Sequence, residues 1–258
     1  MGIDTLAGLR AAPVVAYDFN STLSGSPGSV VWSSWWGQQL TVPVGGGEPT
    51  KVRGIGPLPA DGRIVSAFTY NNRSSQMVSL YDVLWVSETF TVTAGGSYTF
   101  TAPSTLPARG NGGLGCQLIL SSFGVSNLYD YEAGTTITYT NSAGVGGRTS
   151  TPYPLGTNPV ATDTWIPSTM QTGDLGVRSV QSMNTSTNAH AGNSLRVGII
   201  RHIASINVPP VDGSVAARRL PYISPRIPAG AILVPSYLQH VGSTAAAANV
   251  TFEIALDV

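Results

Sequence analysis

The sequence predicts an all-β protein: an antiparallel β-sandwich, jelly-roll-like, that follows an irregular N-terminal arm. Roughly ten strand-like segments recur along the 258 residues with no long helix between them, whereas parallel sheets need helical crossovers. The clearest segment is the last, residues 249–258, where apolar residues alternate with polar or small ones. This period of two buries one face of a strand. The 30 glycines and 18 prolines supply turns between short strands.

The N-terminal part differs from the rest of the chain. Residues 4–12 permit a short helical turn, and residues 20–28 are rich in turn-forming residues. We therefore predict an arm over residues 1–29 that adds little to the core and attaches the protein to a neighbouring subunit or a shell. The β-sandwich domain then spans residues 30–258.

Strand segments follow one another through this domain. Those at 63–70 and 76–85 flank a polar stretch, 71–75, that is typical of a hairpin loop. A proline-rich stretch at 151–167 leaves open an alternative, in which the chain divides there into two small sandwiches. The other predicted strands are 88–93, 97–101, 115–123, 135–140, 176–183, 195–206, 232–241 and 249–258.

Composition excludes several classes of function. The chain has 13 basic and 13 acidic side chains, a net charge of zero and only 10% charged residues. Nucleic-acid binders carry an excess of positive charge, so we expect no nucleic-acid partner. The apolar runs are shorter than a membrane helix requires and the N-terminus lacks the order of a signal peptide, so we expect no membrane partner.

Residues that could carry chemistry are few. The single cysteine, Cys116, excludes an internal disulfide, and its apolar surroundings predict a buried, inert thiol. The three histidines, His190, His202 and His240, do not have the spacing of a helical metal pair. We expect no catalytic residue, no cofactor and no metal.

A cluster of tryptophans follows the predicted arm. Trp32, Trp35 and Trp36 lie within one short segment. On a strand, Trp32 and Trp36 face one way and Trp35 the other, so both faces of the strand must be covered by protein. We predict that one face packs in the core and that the other meets a partner, because tryptophan is enriched at interface centres. A sugar-stacking platform is the alternative.

Four segments carry a family resemblance: 79–85 (SLYDVLW), 137–150 (ITYTNSAGVGGRTS), 173–183 (GDLGVRSVQSM) and 195–201 (LRVGIIR). In this order they resemble a group of tailed-bacteriophage virion structural proteins. The resemblance implies a β-rich, non-enzymatic protein that is made in the host cytoplasm and is part of the virion, and it brings no catalytic residue with it.

Within that group the chain is most like a capsid decoration, or cement, protein. Such a protein binds the outside of the capsid and bridges major capsid subunits. We therefore expect this chain at the capsid surface of the virion. A tail-tube subunit and a receptor- or glycan-binding virion module are the alternatives. An enzyme such as a glycan hydrolase would need two carboxylates facing each other across a groove.

The weakly charged surface predicts self-association, first of all as a homotrimer, beside binding to the major capsid protein. Four arginines lie in the segments that carry the resemblance: Arg148, Arg178, Arg196 and Arg201. Together with the tryptophans they are the candidate interface residues, since a guanidinium group can make bidentate contacts across an interface. Surface arginines without a partner are the alternative.

Overall fold

The computed structural model describes residues 12–22, 31–34, 40–52, 56–70, 76–101, 106–123, 134–152, 165–187, 192, 194–208, 216–219, 225–239 and 247–258. In these residues the chain forms β-strands and one short stretch of 3-10 turns, Ala108–Gly113. The strands of the first half are β1 (Val14–Thr22), β2 (Val31–Ser34), β3 (Leu40–Thr41), β4 (Lys51–Val52), β5 (Gly62–Tyr70), β6 (Gln76–Val86), β7 (Phe90–Thr91), β8 (Ser97–Thr99) and β9 (Cys116–Phe123). Those of the second half are β10 (Thr136–Asn141), β11 (Arg148–Pro152), β12 (Trp165–Thr169), β13 (Val177–Asn184), β14 (Ser194–Val208), β15 (Ala216–Arg219), β16 (Arg226–Ile227), β17 (Leu233–Gln239) and β18 (Ala247–Leu256).

Two antiparallel sheets contain most of these strands. The smaller sheet has the order β1-β18-β5-β15, and β16 also pairs with β5. The larger sheet has the order β2-β17-β6-β14-β9-β12-β11-β10-β13-β8, and β7 also pairs with β14. The short strands β3 and β4 pair with each other. The predicted all-β, antiparallel fold is confirmed.

Early and late strands alternate along the smaller sheet and over the first four strands of the larger sheet. In the smaller sheet β18 lies between β1 and β5, and in the larger sheet β17 lies between β2 and β6. Both layers contribute to one buried cluster, with Ile64 and Phe252 from the smaller sheet and Val78, Leu80 and Ile206 from the larger. The two layers therefore pack face to face as a sandwich.

Residues 87–193 lie between β6 and β14, and we call them the inserted lobe. Their strands extend the larger sheet beyond β14. The extended sheet curls, so that side chains from its inner strands β6, β14 and β9 share a second buried cluster with side chains from β10 and β13. Trp85 and Val197 enter this cluster from β6 and β14, and Tyr139, Val180 and Met183 enter it from the lobe. The lobe is thus held to the larger sheet by both hydrogen bonds and apolar packing.

Each predicted strand segment is present, with its ends moved by one or two residues. The hairpin predicted across 71–75 is wrong, because β5 belongs to the smaller sheet and β6 to the larger. Ile64 and Ala67 on β5 face Val78 and Leu80 on β6 across the sandwich. Alternation along a strand shows that one face is buried, but it does not tell whether the next strand pairs beside it or packs opposite to it.

The C-terminal strand was the clearest in the sequence. Phe252, Ile254 and Leu256 are buried, as the alternation predicts. The strand ends at Leu256, and the side chain of Val258 is 86% exposed. The prediction that the buried face continues to Val258 is therefore wrong.

The structure also describes part of the predicted arm. β1 pairs along its whole length with β18, so this part of residues 1–29 is a strand of the smaller sheet. Attachment through the arm stays a prediction. At the alternative division, β11 and β12 flank residues 153–164 and pair with each other at Thr151 and Thr169. A domain boundary there would cut through one sheet.

Candidate functional site

Three turns of the inserted lobe meet and form a surface that we call the glycine-rich tip: residues 111–115, 142–147 and 171–176. Each turn presents one large aliphatic side chain to solvent. Leu114 is 47% exposed, Val145 52% and Leu175 70%. Single exposed aliphatic residues are common on proteins. Here three of them lie on turns that are joined to one another, which makes the tip the candidate contact surface.

Backbone hydrogen bonds join the turns. The amide of Gly115 donates to the carbonyl oxygen of Leu175 at 2.8 Å, and the amide of Ser142 donates to that of Gly176 at 2.9 Å. Leu114 and Gly176 form an isolated antiparallel bridge. Residues 174–176 are therefore bonded to the other two turns, and the three aliphatic residues are held in a fixed relation.

Close approach of the backbones makes glycine necessary at the centre of the tip. A Cβ atom at Gly176 would overlap the carbonyl oxygen of Gly113 and the amide nitrogen of Gly115. A Cβ atom at Gly113 would overlap the carbonyl of Val177. Neither overlap can be relieved by rotating a side chain, because the atoms that would be met belong to the backbone.

The carboxylate of Asp174 connects the tip to strands β10 and β11 through hydrogen bonds. It accepts two hydrogen bonds from Arg148, with Nε–Oδ2 at 3.1 Å and Nη2–Oδ1 at 3.0 Å. It also accepts one from Asn141 Nδ2 at 2.8 Å and one from the hydroxyl of Tyr139. The side-chain oxygen of Asn141 in turn accepts the amide of Val145 at 2.9 Å.

These contacts change the acidity of the groups that take part. Hydrogen bonds from Arg148, Tyr139 and Asn141 lower the pKa of Asp174 to about 2. Burial, together with the neighbouring carboxylate, raises the pKa of Tyr139. Asp174 is therefore ionised and Tyr139 is protonated at neutral pH, which is the state that their hydrogen bond requires.

The four predicted interface arginines fall into different surroundings. Arg148 is the bidentate partner of Asp174. Arg196 donates from Nε to Thr89 Oγ1 at 2.8 Å. Arg178 is half-buried at the start of β13 and its guanidinium lies beside Gly144 in the tip. The structure therefore brings Arg148 and Arg178 to the tip.

Arg201 belongs to a separate, buried ion network. Its guanidinium lies 3.6 Å from the carboxylate of Asp82, which has no exposed surface. Asp82 also accepts Arg109 Nε at 3.0 Å and the amide of Ile232 at 3.1 Å. Burial raises the pKa of Asp82, and the two arginines partly offset that rise. The Arg201 side chain is 21% exposed, and its guanidinium partly neutralises the buried charge of Asp82.

The predicted tryptophan surface lies largely outside the described residues. Trp32 is in β2, where its backbone pairs with Leu238. Trp35 and Trp36 are not among the described residues. Their role at an interface stays a prediction. Cys116 is buried, as predicted, and burial raises the pKa of its thiol to about 11.

Among the described residues, no group of three or more His, Cys, Asp or Glu side chains could hold a metal ion. Within the described part of the chain, no helix is long and apolar enough to cross a membrane. The aliphatic residues of the tip were missed at the sequence level. Their signal is an aliphatic residue next to glycine: GLG at 113–115, GVG at 144–146 and LG at 175–176.

Comparison with known proteins gives structural neighbours only. No family model and no curated protein matches the sequence. The chain is similar to VP2 of infectious bursal disease virus in its subviral particle, with 8% identity over 95% of this chain and 80% of that one and a TM-score of 0.23. It is also similar to a chain of the T=1 particles derived from that virus (11% identity, 95% and 78% covered, TM-score 0.22) and to the structure of the Gt strain (11%, 95% and 81%, TM-score 0.22). Likeness at this level carries no inference about function.

Proposed function

We propose that this chain is a non-enzymatic structural protein of a tailed-phage virion that binds the outside of the capsid through the glycine-rich tip and bridges major capsid subunits. The observation that supports attachment through the tip is the set of three exposed aliphatic residues on turns that are hydrogen-bonded to one another. The resemblance of the sequence to phage virion proteins supports the choice of partner. Association of the body into a homotrimer would present several tips to one shell.

The tip suits a docking role because it is ordered before it binds. Its turns are joined by backbone hydrogen bonds and by the contacts of Asp174. Docking therefore costs little conformational entropy, which is the advantage of a preorganised surface. A protein that binds only the assembled shell stabilises that shell by mass action, and repeated copies add avidity.

The contribution of one side chain can be estimated from its exposure. Burying a fully exposed leucine or valine side chain contributes about 1.5–3 kcal/mol. Leu175 is 70% exposed, so its burial at an interface would contribute about 1–2 kcal/mol, which is about 5- to 30-fold in affinity per site. A tip with three such residues can anchor a subunit without any large charged contact.

The test compares Leu175→Ser with Val44→Ser. Val44 is 98% exposed, in the turn between β3 and β4 outside the tip. Shells that lack this protein are mixed with each variant, and bound protein is measured by co-sedimentation over a range of concentrations. We expect Leu175→Ser to bind about 5- to 30-fold more weakly and Val44→Ser to bind like the original protein.

Two results would contradict the proposal. The first is that the original protein does not bind shells, which favours a tail location or a receptor-binding role. The second is that Leu175→Ser and Val44→Ser bind equally well, which removes the tip as the anchor. Thermal unfolding of both variants serves as the control for folding, and it should change little because both side chains are exposed.

A further inference from the structure

One arginine at the tip has none of the partners that hold the others. Arg178 is half-buried, with its guanidinium beside Gly144. Arg148 has Asp174, Arg201 has Asp82 and Arg196 is bonded to Thr89. In the described part of the chain, Arg178 makes no ion pair or side-chain hydrogen bond.

The charges of the tip do not balance as a result. The tip turns and the arginines that reach them carry one carboxylate, that of Asp174, and two guanidinium groups, those of Arg148 and Arg178. Arg148 takes both oxygens of Asp174 in a bidentate contact. Arg178 therefore remains a positive charge with unused donors, partly removed from water, next to an apolar surface.

We infer that Arg178 binds a carboxylate of the partner protein when the tip docks. The inference rests on the proposed function and names the chemistry of its partner: a protein surface on which an Asp or Glu side chain is surrounded by apolar groups. Such a carboxylate can accept two parallel hydrogen bonds from the guanidinium, and the aliphatic residues around it exclude water and strengthen the pair.

The same charge argues against other occupants of the tip. A second tip of this protein would bring Arg178 against Arg178, and like charges across an interface are unfavourable. A homotrimer would accordingly form through another face. Nucleic acid is recognised through several phosphates at once, whereas the tip offers a single cation that is not already paired. The tip turns contain no aromatic residue to stack on a sugar.

The experiment measures shell binding at several salt concentrations for Arg178→Ala and Arg178→Lys. The control is Arg226→Ala, which removes an exposed arginine from the smaller sheet with the same change of net charge. We expect Arg178→Ala to bind about tenfold more weakly and with less dependence on salt. Arg178→Lys should recover only part of the affinity, because an ammonium group lacks the planar fork. Arg226→Ala should bind like the original protein.

Leu175→Ser separates this inference from the proposed function. It should weaken binding but keep the salt dependence of the original protein, because the charge is still present. If Arg178→Ala binds shells with unchanged affinity and salt dependence while Leu175→Ser is weakened, the inference is overturned and the docking role stands. If the original protein does not bind shells, both are overturned.

Discussion

Truncation of Phe252 tests the sandwich at its centre. Phe252 is 1% exposed and lies in the buried cluster between the two sheets. Its strand is central in the smaller sheet, where it pairs with Tyr17 on β1 and Ala67 on β5. Phe252→Ala removes the ring and leaves a cavity that rigid strands on both sides cannot close, so we expect a loss of about 3–5 kcal/mol.

This loss is large compared with the stability of a folded protein, about 5–15 kcal/mol. Equilibrium unfolding in urea should therefore show a clearly lower midpoint with an unchanged slope, since the surface exposed on unfolding stays the same. The melting temperature should fall by about 6–20 °C for a chain of this size. Val258→Ala, at an exposed position six residues further on, is the control and should have almost no effect. A loss below about 1 kcal/mol for Phe252→Ala would refute the placement of this ring in the core.

Three further predictions concern the tip and the assembly. Gly176→Ala should prevent the turns from closing and abolish shell binding, with a loss of about 1–3 kcal/mol in unfolding experiments; a variant that binds normally would contradict the packing at Gly113. The pKa of Asp174 is lowered to about 2, so its contribution to stability is complete above the ordinary Asp pKa of about 3.9 and is lost as the pH falls toward 2. The original protein should therefore lose more stability than Asp174→Asn between pH 5 and pH 2.5, and equal losses would show that its contacts with Arg148 and Tyr139 do not form. Sedimentation equilibrium of the isolated protein should show a homotrimer, and a monomer at micromolar concentration would contradict self-association.

The strands that could be predicted from the sequence are those with a regular apolar pattern. Two strands with prolines were missed, β11 and β12, which contain Pro152 and Pro167, although β17 was predicted despite Pro235. Proline removes a backbone donor and normally argues against a strand. β1 was missed because its segment leads into a turn-rich stretch, although it pairs along its length with β18. The pairing partner lies at the other end of the chain, where local pattern gives no information.

The same limit explains the outcome at the candidate site. The sequence pointed to Arg148 and Arg178, which both reach the tip, but it could not tell that Arg148 is already paired with Asp174. It also gave Arg201 as an interface candidate, but it could not tell that the carboxylate of Asp82, far away in the sequence, lies 3.6 Å from the Arg201 guanidinium. The apolar residues of the tip come from three turns that only the folded chain brings together.

Electron microscopy of intact virions at a resolution that shows side chains tests the central claim most directly. We predict that this chain lies on the outer surface of the capsid, with Leu114, Val145 and Leu175 buried against major capsid subunits. A carboxylate of the shell should lie within hydrogen-bonding distance of the Arg178 guanidinium. The chain located in the tail, or on the capsid with the tip directed into solvent, would contradict the account.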